Sequence, residues 1–108
     1  MLYDKRWDAK IAPQESKTVK RLKRARERVA MKWCQKTGGK INGAVCALTA
    51  ITHDISHGAF LLGEGRQEIN LVERVIGSPI IGWNDTPGRT QAEVVAAFDR
   101  AIELARHS

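Results

Sequence analysis

The sequence has no apolar run that approaches the roughly 20 residues a helix needs to span a bilayer. Its first ten residues also lack the apolar core that is typical of a signal peptide. We therefore expect a cytoplasmic location and no membrane partner. The Gly-Glu-Gly segment at 63–65 does not match the glycine-rich pattern of a phosphate-binding loop, so no cofactor is predicted.

Cysteine is scarce as well, with only Cys34 and Cys46 in the chain. Two thiols are too few for a disulfide framework and, by themselves, for a structural zinc site. Both cysteines lie in apolar surroundings, which favours reduced, buried thiols, and a bond between them stays open if their segments pack together. A nucleophilic role for Cys46 would require an exposed thiolate, whereas its apolar neighbours favour packing.

Strict alternation of apolar and polar residues is missing, so no strand is predicted. With 108 residues the chain has room for one small domain. We predict an all-α fold, a compact bundle of about four helices. Residues 16–108 form this single helical domain, and residues 1–15 form an N-terminal arm.

Apolar periodicity and capping signals predict helices over about 16–36, 43–57, 68–76 and 91–106. Ser16 is the expected N-cap of the first helix, which is basic and lies on the outside of the bundle. The second helix, expected to be capped by Asn42, is apolar nearly all round in its first half and should be central. Thr90 and Glu93 have the spacing of a capping box before the last helix. Residues 80–83 form either a helical turn or a short extended piece.

Positive charge is concentrated in the first forty residues. Residues 1–40 carry 13 lysines and arginines against 4 acidic residues, a net charge of +9, whereas residues 41–108 carry 5 against 8, a net charge of −3. One face of the first helix forms a basic ridge, which we define as Lys17, Lys20, Arg21, Arg24, Arg28 and Lys32. Such a ridge can follow the phosphates of nucleic acid or dock on an acidic protein surface. It is equally typical of a helix face that is simply exposed to solvent.

A polar turn before the last helix groups four residues of a candidate ligand site: Trp83, Asn84, Asp85 and Arg89. A polar turn beside a helix N-terminus can hold an anion. The structural alternative is that Trp83 fills the core while Asp85 makes a turn hydrogen bond or pairs with Arg89 or Arg26.

His53 and His57 have the i, i+4 spacing of a zinc-binding helix, with Asp54 in the place of the usual glutamate. If the helix continues through both histidines, they share a face and are candidate metal ligands. No third ligand is evident in the sequence, and histidines near a helix C-terminus are also favoured there by the helix dipole. We therefore predict no metal.

Several motifs resemble those of an uncharacterised family of small helical proteins from bacteria and phages. They are Trp33 at the end of the first helix, the Cys-Ala-Leu segment at 46–48, and the Trp-Asn-Asp-x-Pro-x-Arg-Thr turn at 83–90. The resemblance covers about residues 19–106. The basic first helix and Thr49, where glycine is expected, depart from the pattern. The resemblance implies a small helical domain and no particular activity.

We therefore predict a non-enzymatic accessory or regulatory protein, phage- or plasmid-borne, that binds nucleic acid or a nucleoprotein complex through the basic ridge. The first alternative is an adaptor or inhibitor that docks on an acidic protein surface. The second is a small metal-dependent hydrolase that uses His53 and His57. The sequence leaves the oligomeric state open.

Overall fold

The computed structural model describes residues 15–107, so the predicted N-terminal arm lies almost wholly outside the described residues. Within residues 15–107 the chain forms six helices, and no strand is present there. Two isolated β-bridges join Val45 to Trp33 and to Gly39. The all-α prediction is confirmed. The helices are α1 (Lys17–Met31), α2 (Ala47–Thr52), α3 (His57–Leu61), α4 (Arg66–Ile76), α5 (Ile80–Asn84) and α6 (Gln91–Arg106).

The core lies where α1, α4 and α6 meet around the short α2. Helix α1 packs most extensively against α6, α4 also packs against α6, and α1 and α4 contact each other. Small residues such as Ala25 and Ala101 are fully buried on facing helices, which lets the backbones approach closely. The largest fully buried apolar side chains are Leu22, Val29, Ile51, Val72, Val94 and Phe98.

The first and last helices begin where their capping signals predict. The Ser16 side chain accepts a hydrogen bond from the Val19 N–H at the start of α1. Thr90 and Glu93 form the complete capping box of α6. The Gln91 side chain then donates hydrogen bonds to the Val29 and Ala30 carbonyls at the end of α1. These bonds join the start of α6 to the end of α1.

No described helix is both long enough and apolar enough to cross a bilayer.

The helix α2, which the sequence predicts as the central helix, is shorter than the predicted 43–57. Gly43 has a φ of 90°, and residues 44–46 are extended, because Val45 pairs its backbone with Lys32 and Cys34. The N-cap is therefore Cys46, not Asn42. The helix ends at Thr52, and Ser56 caps a separate helix, α3.

The first helix also ends earlier than predicted, at Met31. Lys32 is extended, and the following residues belong to a loop, residues 32–46, that folds back along Val45. Tertiary pairing therefore overrides the helical pattern that the sequence carries through Trp33. Lys36 has a φ of 68°, a left-handed conformation that is costly for a residue with a Cβ atom.

Candidate functional site

The basic ridge is paired with carboxylates from the rest of the fold. Lys17 contacts Glu64 at 2.8 Å, and Arg21 contacts Glu68 at 3.1 Å. The Arg21 and Glu68 side chains are 11% and 3% exposed, so this ion pair is withdrawn from solvent. Glu68 is thus a buried partner of the ridge that the sequence did not single out.

The C-terminal half of the ridge is also engaged. Arg24 and Arg28 both contact the carboxylate of Asp54, and Arg28 donates to the Ala50 carbonyl at 2.8 Å. The hydrogen bond from Arg28 is the main cause that holds the pKa of Asp54 below its usual value. Lys32 donates to the backbone carbonyl of Asn42.

Lys20 is the ridge cation that has no partner among residues 15–107. Because Asp54, Glu64 and Glu68 lie among the six cations, the net charge of the ridge with its partners is +3. The structure thus places five of the six predicted residues on α1 and Lys32 directly after it, and each of the six except Lys20 contacts a carboxylate or a backbone carbonyl.

The polar turn at 83–90 is organised by Asn84, whose side chain is buried and fully bonded. Its Oδ1 atom accepts hydrogen bonds from Trp33 Nε1 at 2.7 Å and from the Ala47 N–H at 3.0 Å. Its Nδ2 group donates to the Cys34 carbonyl at 3.1 Å and to Asp85 Oδ1 at 3.0 Å. One amide therefore fixes the loop 32–46 against the start of α2.

Asp85 and Arg89 are engaged separately and do not pair with each other in the structure. Asp85 accepts the Lys36 N–H at 2.7 Å, and this bond is the main cause that lowers the pKa of Asp85. The Arg89 guanidinium lies 4.0 Å from the centre of the Trp83 ring and donates to the Trp83 carbonyl at 3.0 Å. Arg26, the other suggested partner of Asp85, pairs instead with Asp99 at 2.9 Å.

Beside this turn lies a cavity of about 240 Å³. Asn84 and Asp85 form one side of the cavity, and Cys46, the N-cap of α2, also lines it. Both cysteines are free and buried in the structure. Burial is the main cause that raises the pKa of Cys34, and the neighbouring Cys46 raises it further. The remaining lining residues are Lys36, Thr37, Gly38, Leu48, Thr49 and Ile81.

His53 and His57 do not share a helix face. Helix α2 ends at Thr52 and α3 begins at His57, so the i, i+4 spacing does not place the two rings together. His53 lies 3.5 Å from Asp54, which is already bonded to Arg28. Among residues 15–107 no group of three histidine, cysteine or acidic residues is placed to hold a metal ion.

A surface that the sequence analysis missed lies where the loop 32–46 meets the end of α1. Ile41 is fully exposed at the tip of a tight turn, and Met31 at the end of α1 is 79% exposed. Met31 lines a depression together with Asn42, the residue after Ile41. We call this the Ile41 surface and define it by Arg28, Met31, Lys32, Lys40 and Ile41. The depression, of about 270 Å³, borders this surface and is lined by Arg28, Met31 and Lys32, together with Asn42, Gly43, Val45 and His53. Lys40 and Ile41 do not line it. The sequence feature that could have indicated this surface is an isoleucine inside the turn sequence Gly-Gly-Lys-Ile-Asn-Gly, where an apolar side chain is expected to be exposed.

Comparison with curated proteins and with solved structures gives no significant match. A model of one family matches residues 14–104, which is most of the chain and includes the ridge, the cavity and the polar turn. The protein therefore belongs to the family of unknown function DUF6197.

Proposed function

We propose that this protein is a non-catalytic adaptor or inhibitor that docks through the Ile41 surface on an acidic surface of a partner protein. The observation that carries the proposal is the full exposure of Ile41 at a turn tip that Lys40 precedes and that Lys32 contacts through the Asn42 carbonyl, with Met31 exposed at the end of α1. Adjacent exposed apolar residues ringed by charge are typical of a protein-binding site.

The turn that presents Ile41 is preorganised. The Gly43 N–H donates to the Lys40 carbonyl at 2.9 Å, and the Lys40 N–H donates to the Ala44 carbonyl at 2.9 Å. Asn42 Oδ1 accepts the Ala44 N–H at 3.0 Å. A rigid tip loses little conformational entropy on binding, so more of the burial of Ile41 contributes to affinity.

Charge around the tip selects the partner. Lys32 and Lys40 flank the apolar residues, and no carboxylate is among the residues that line the depression. An acidic rim around an apolar pocket is complementary to this arrangement. Such complementarity raises the association rate and discriminates against basic partners.

The proposal is tested by quantitative capture with the full chain as bait, from a nuclease-treated lysate of the cells that naturally produce it. We expect a partner that the wild-type chain and a Leu62→Asp control both retain and that Ile41→Asp loses. Leu62 is a matched control because it is also a highly exposed apolar residue, but it lies at the C-terminal end of α3 and not in the turn. Equal capture by Ile41→Asp and Leu62→Asp would contradict the proposal.

Nucleic acid is the second candidate partner, favoured by the solvent exposure of three ridge cations. Lys20 has no partner among the described residues, and the side chains of Lys17 and Arg24 are 69% and 50% exposed. These three cations can contact about three phosphates, which predicts a loss of affinity between about 50 and about 200 mM salt of about 40-fold for duplex DNA and about 20-fold for a single strand. Binding of labelled duplex DNA and single-stranded RNA at both salt concentrations measures this loss. Binding that survives Lys17→Glu, Lys20→Glu and Arg24→Glu together would contradict this candidate.

A further inference from the structure

The fold places the two cysteines side by side. Trp33 and Val45 form a parallel β-bridge, in which the Cys34 N–H donates to the Val45 carbonyl at 3.1 Å and the Val45 N–H to the Lys32 carbonyl at 3.2 Å. Cys34 and Cys46 are the next residues along the two paired segments. Neighbouring extended segments lie about 4.8 Å apart, which is within the Cα separation that a disulfide bridges.

The two thiols differ in access. Cys46 lines the cavity of about 240 Å³, whose rim includes the exposed residues Lys36 and Ile81. Cys34 is not among the lining residues, and its thiol donates to the Thr37 carbonyl at 3.5 Å. A reagent that enters the cavity therefore contacts Cys46 and not Cys34, which lies on the neighbouring backbone segment.

We propose that Cys46 and Cys34 form a redox-active dithiol, a modification site for low-molecular-weight disulfides of the glutathione disulfide class. The proposal is independent of the function proposed above. It rests on the pairing of the two segments and on the cavity that reaches only one of the two thiols.

The reaction balances as two thiol–disulfide exchanges. The Cys46 thiolate attacks one sulfur of the reagent, the reagent's S–S bond breaks, and one reagent thiol leaves. The Cys34 sulfur, after losing its proton to solvent, attacks Cys46 Sγ, and the second reagent thiol leaves. The protein dithiol is oxidised to a Cys34–Cys46 disulfide, and the reagent disulfide is reduced to two thiols. Burial raises the pKa of Cys34, which keeps it protonated and fits its role as the second thiol to react.

The consequence for the molecule is local. The eleven residues between the cysteines contain the turn that presents Ile41. A disulfide between Cys34 and Cys46 closes this loop at its base and restricts its motion.

The test is to incubate the full chain with glutathione disulfide and to follow it by intact-protein mass spectrometry and peptide mapping. We expect the wild-type chain to lose two hydrogens and to yield a Cys34–Cys46 cross-linked peptide, reversed by dithiothreitol. Cys34→Ser should retain one glutathione on Cys46, because the second exchange is blocked. Cys46→Ser should stay unmodified, and circular dichroism checks that it is folded; serine keeps the N-cap of α2.

Three results would overturn the proposal. The wild-type chain could remain unmodified, or it could keep a stable glutathione adduct without forming the internal disulfide. Alternatively, Cys46→Ser could react at Cys34 as fast as Cys34→Ser reacts at Cys46. Equal rates would mean that the thiols react only when the chain unfolds.

Discussion

At the scale of single residues, Asn84 links more of the chain than any other described side chain. Its amide accepts two hydrogen bonds and donates two, which uses its full donor and acceptor capacity. An aspartate of the same shape has no N–H to offer the Cys34 carbonyl. The position therefore requires an amide.

We expect Asn84→Ala to lower the free energy of unfolding by at least about 2 kcal/mol. The change leaves Trp33 Nε1, the Ala47 N–H and the Cys34 carbonyl without their partner, and each buried unsatisfied group costs about 1–3 kcal/mol. Urea denaturation measures the difference. The exposed residue Asn70 in α4 provides the matched control, Asn70→Ala, which should stay within about 0.5 kcal/mol of the wild type. Equal effects of the two substitutions would contradict the assignment of Asn84 as the centre of this network.

The sequence predicts which residues belong to the polar turn but not how they are connected. Trp83, Asn84, Asp85 and Arg89 are recognisable because turn residues precede a helix cap. The partners of Asn84 are up to 51 residues away in sequence, so no local pattern reveals them. Their proximity in sequence suggests an ion pair between Asp85 and Arg89. In the structure Asp85 instead accepts a hydrogen bond from the Lys36 N–H, and Arg89 packs on the face of the Trp83 ring.

At the scale of elements, the boundaries of a helix are predictable when local sequence signals mark both of its ends. They are not predictable when backbone pairing with a distant segment determines where the helix begins. Helix α6 spans the predicted 91–106, because a capping box and an apolar stripe both lie within it. The segment 44–46 is apolar, and a short apolar run fits a buried helix and a buried extended piece equally well. Its pairing with Lys32 and Cys34 decides the outcome, and the sequence does not encode that pairing locally.

The loss of a helix cap should destabilise the fold more when the capped helix buries more side chains. We expect Thr90→Ala to cost about 1 kcal/mol, because it removes the capping box of α6, which buries five side chains. Ser56→Ala removes the same kind of bond from α3, which has no buried residue, and should cost less than about 0.5 kcal/mol. Thermal and urea unfolding of both variants measure the difference. A larger loss from Ser56→Ala than from Thr90→Ala would reverse this ranking of the two helices.

At the scale of the whole molecule, the uneven charge of the sequence is partly compensated by folding. Carboxylates from the acidic part of the chain, Asp54, Glu64 and Glu68, lie against the basic ridge. The sequence places six cations on the first helix, of which five lie on α1 and Lys32 lies just beyond its end. Which acids meet them depends on how α1 packs against the segments that follow α2, and periodicity does not determine this.

Folding stability should decrease on acidification below about pH 5. Hydrogen bonds and nearby cations lower the pKa of Asp54, Glu64 and Asp85 in the folded chain. At acidic pH the unfolded chain then binds more protons than the folded chain. The stabilisation of the fold by these three carboxylates is complete above their unfolded pKa values of about 3.9–4.3, and it is lost as the pH falls through their folded pKa values. Urea unfolding between about pH 7 and about pH 3 measures this slope.

The variant Asp54→Asn tests the origin of that slope. It removes one carboxyl with a lowered pKa, so its stability should depend less steeply on pH in the acidic range. A wild-type stability that is constant or rising from about pH 5 to about pH 3 would contradict the prediction.

The hydrogen bonds of Asn84 also determine when the loop 32–46 acquires its structure during folding. They join α5 to residues 37 to 51 positions earlier in the chain, so they form only after the chain between them has been brought together. Helices α1 and α6 have extensive apolar contacts that do not depend on this loop. The loop should therefore be consolidated after the transition state and should open before α1 and α6 do. The amide protons of the segment that carries the exposed Ile41 and both cysteines should then exchange faster than those of these two helices.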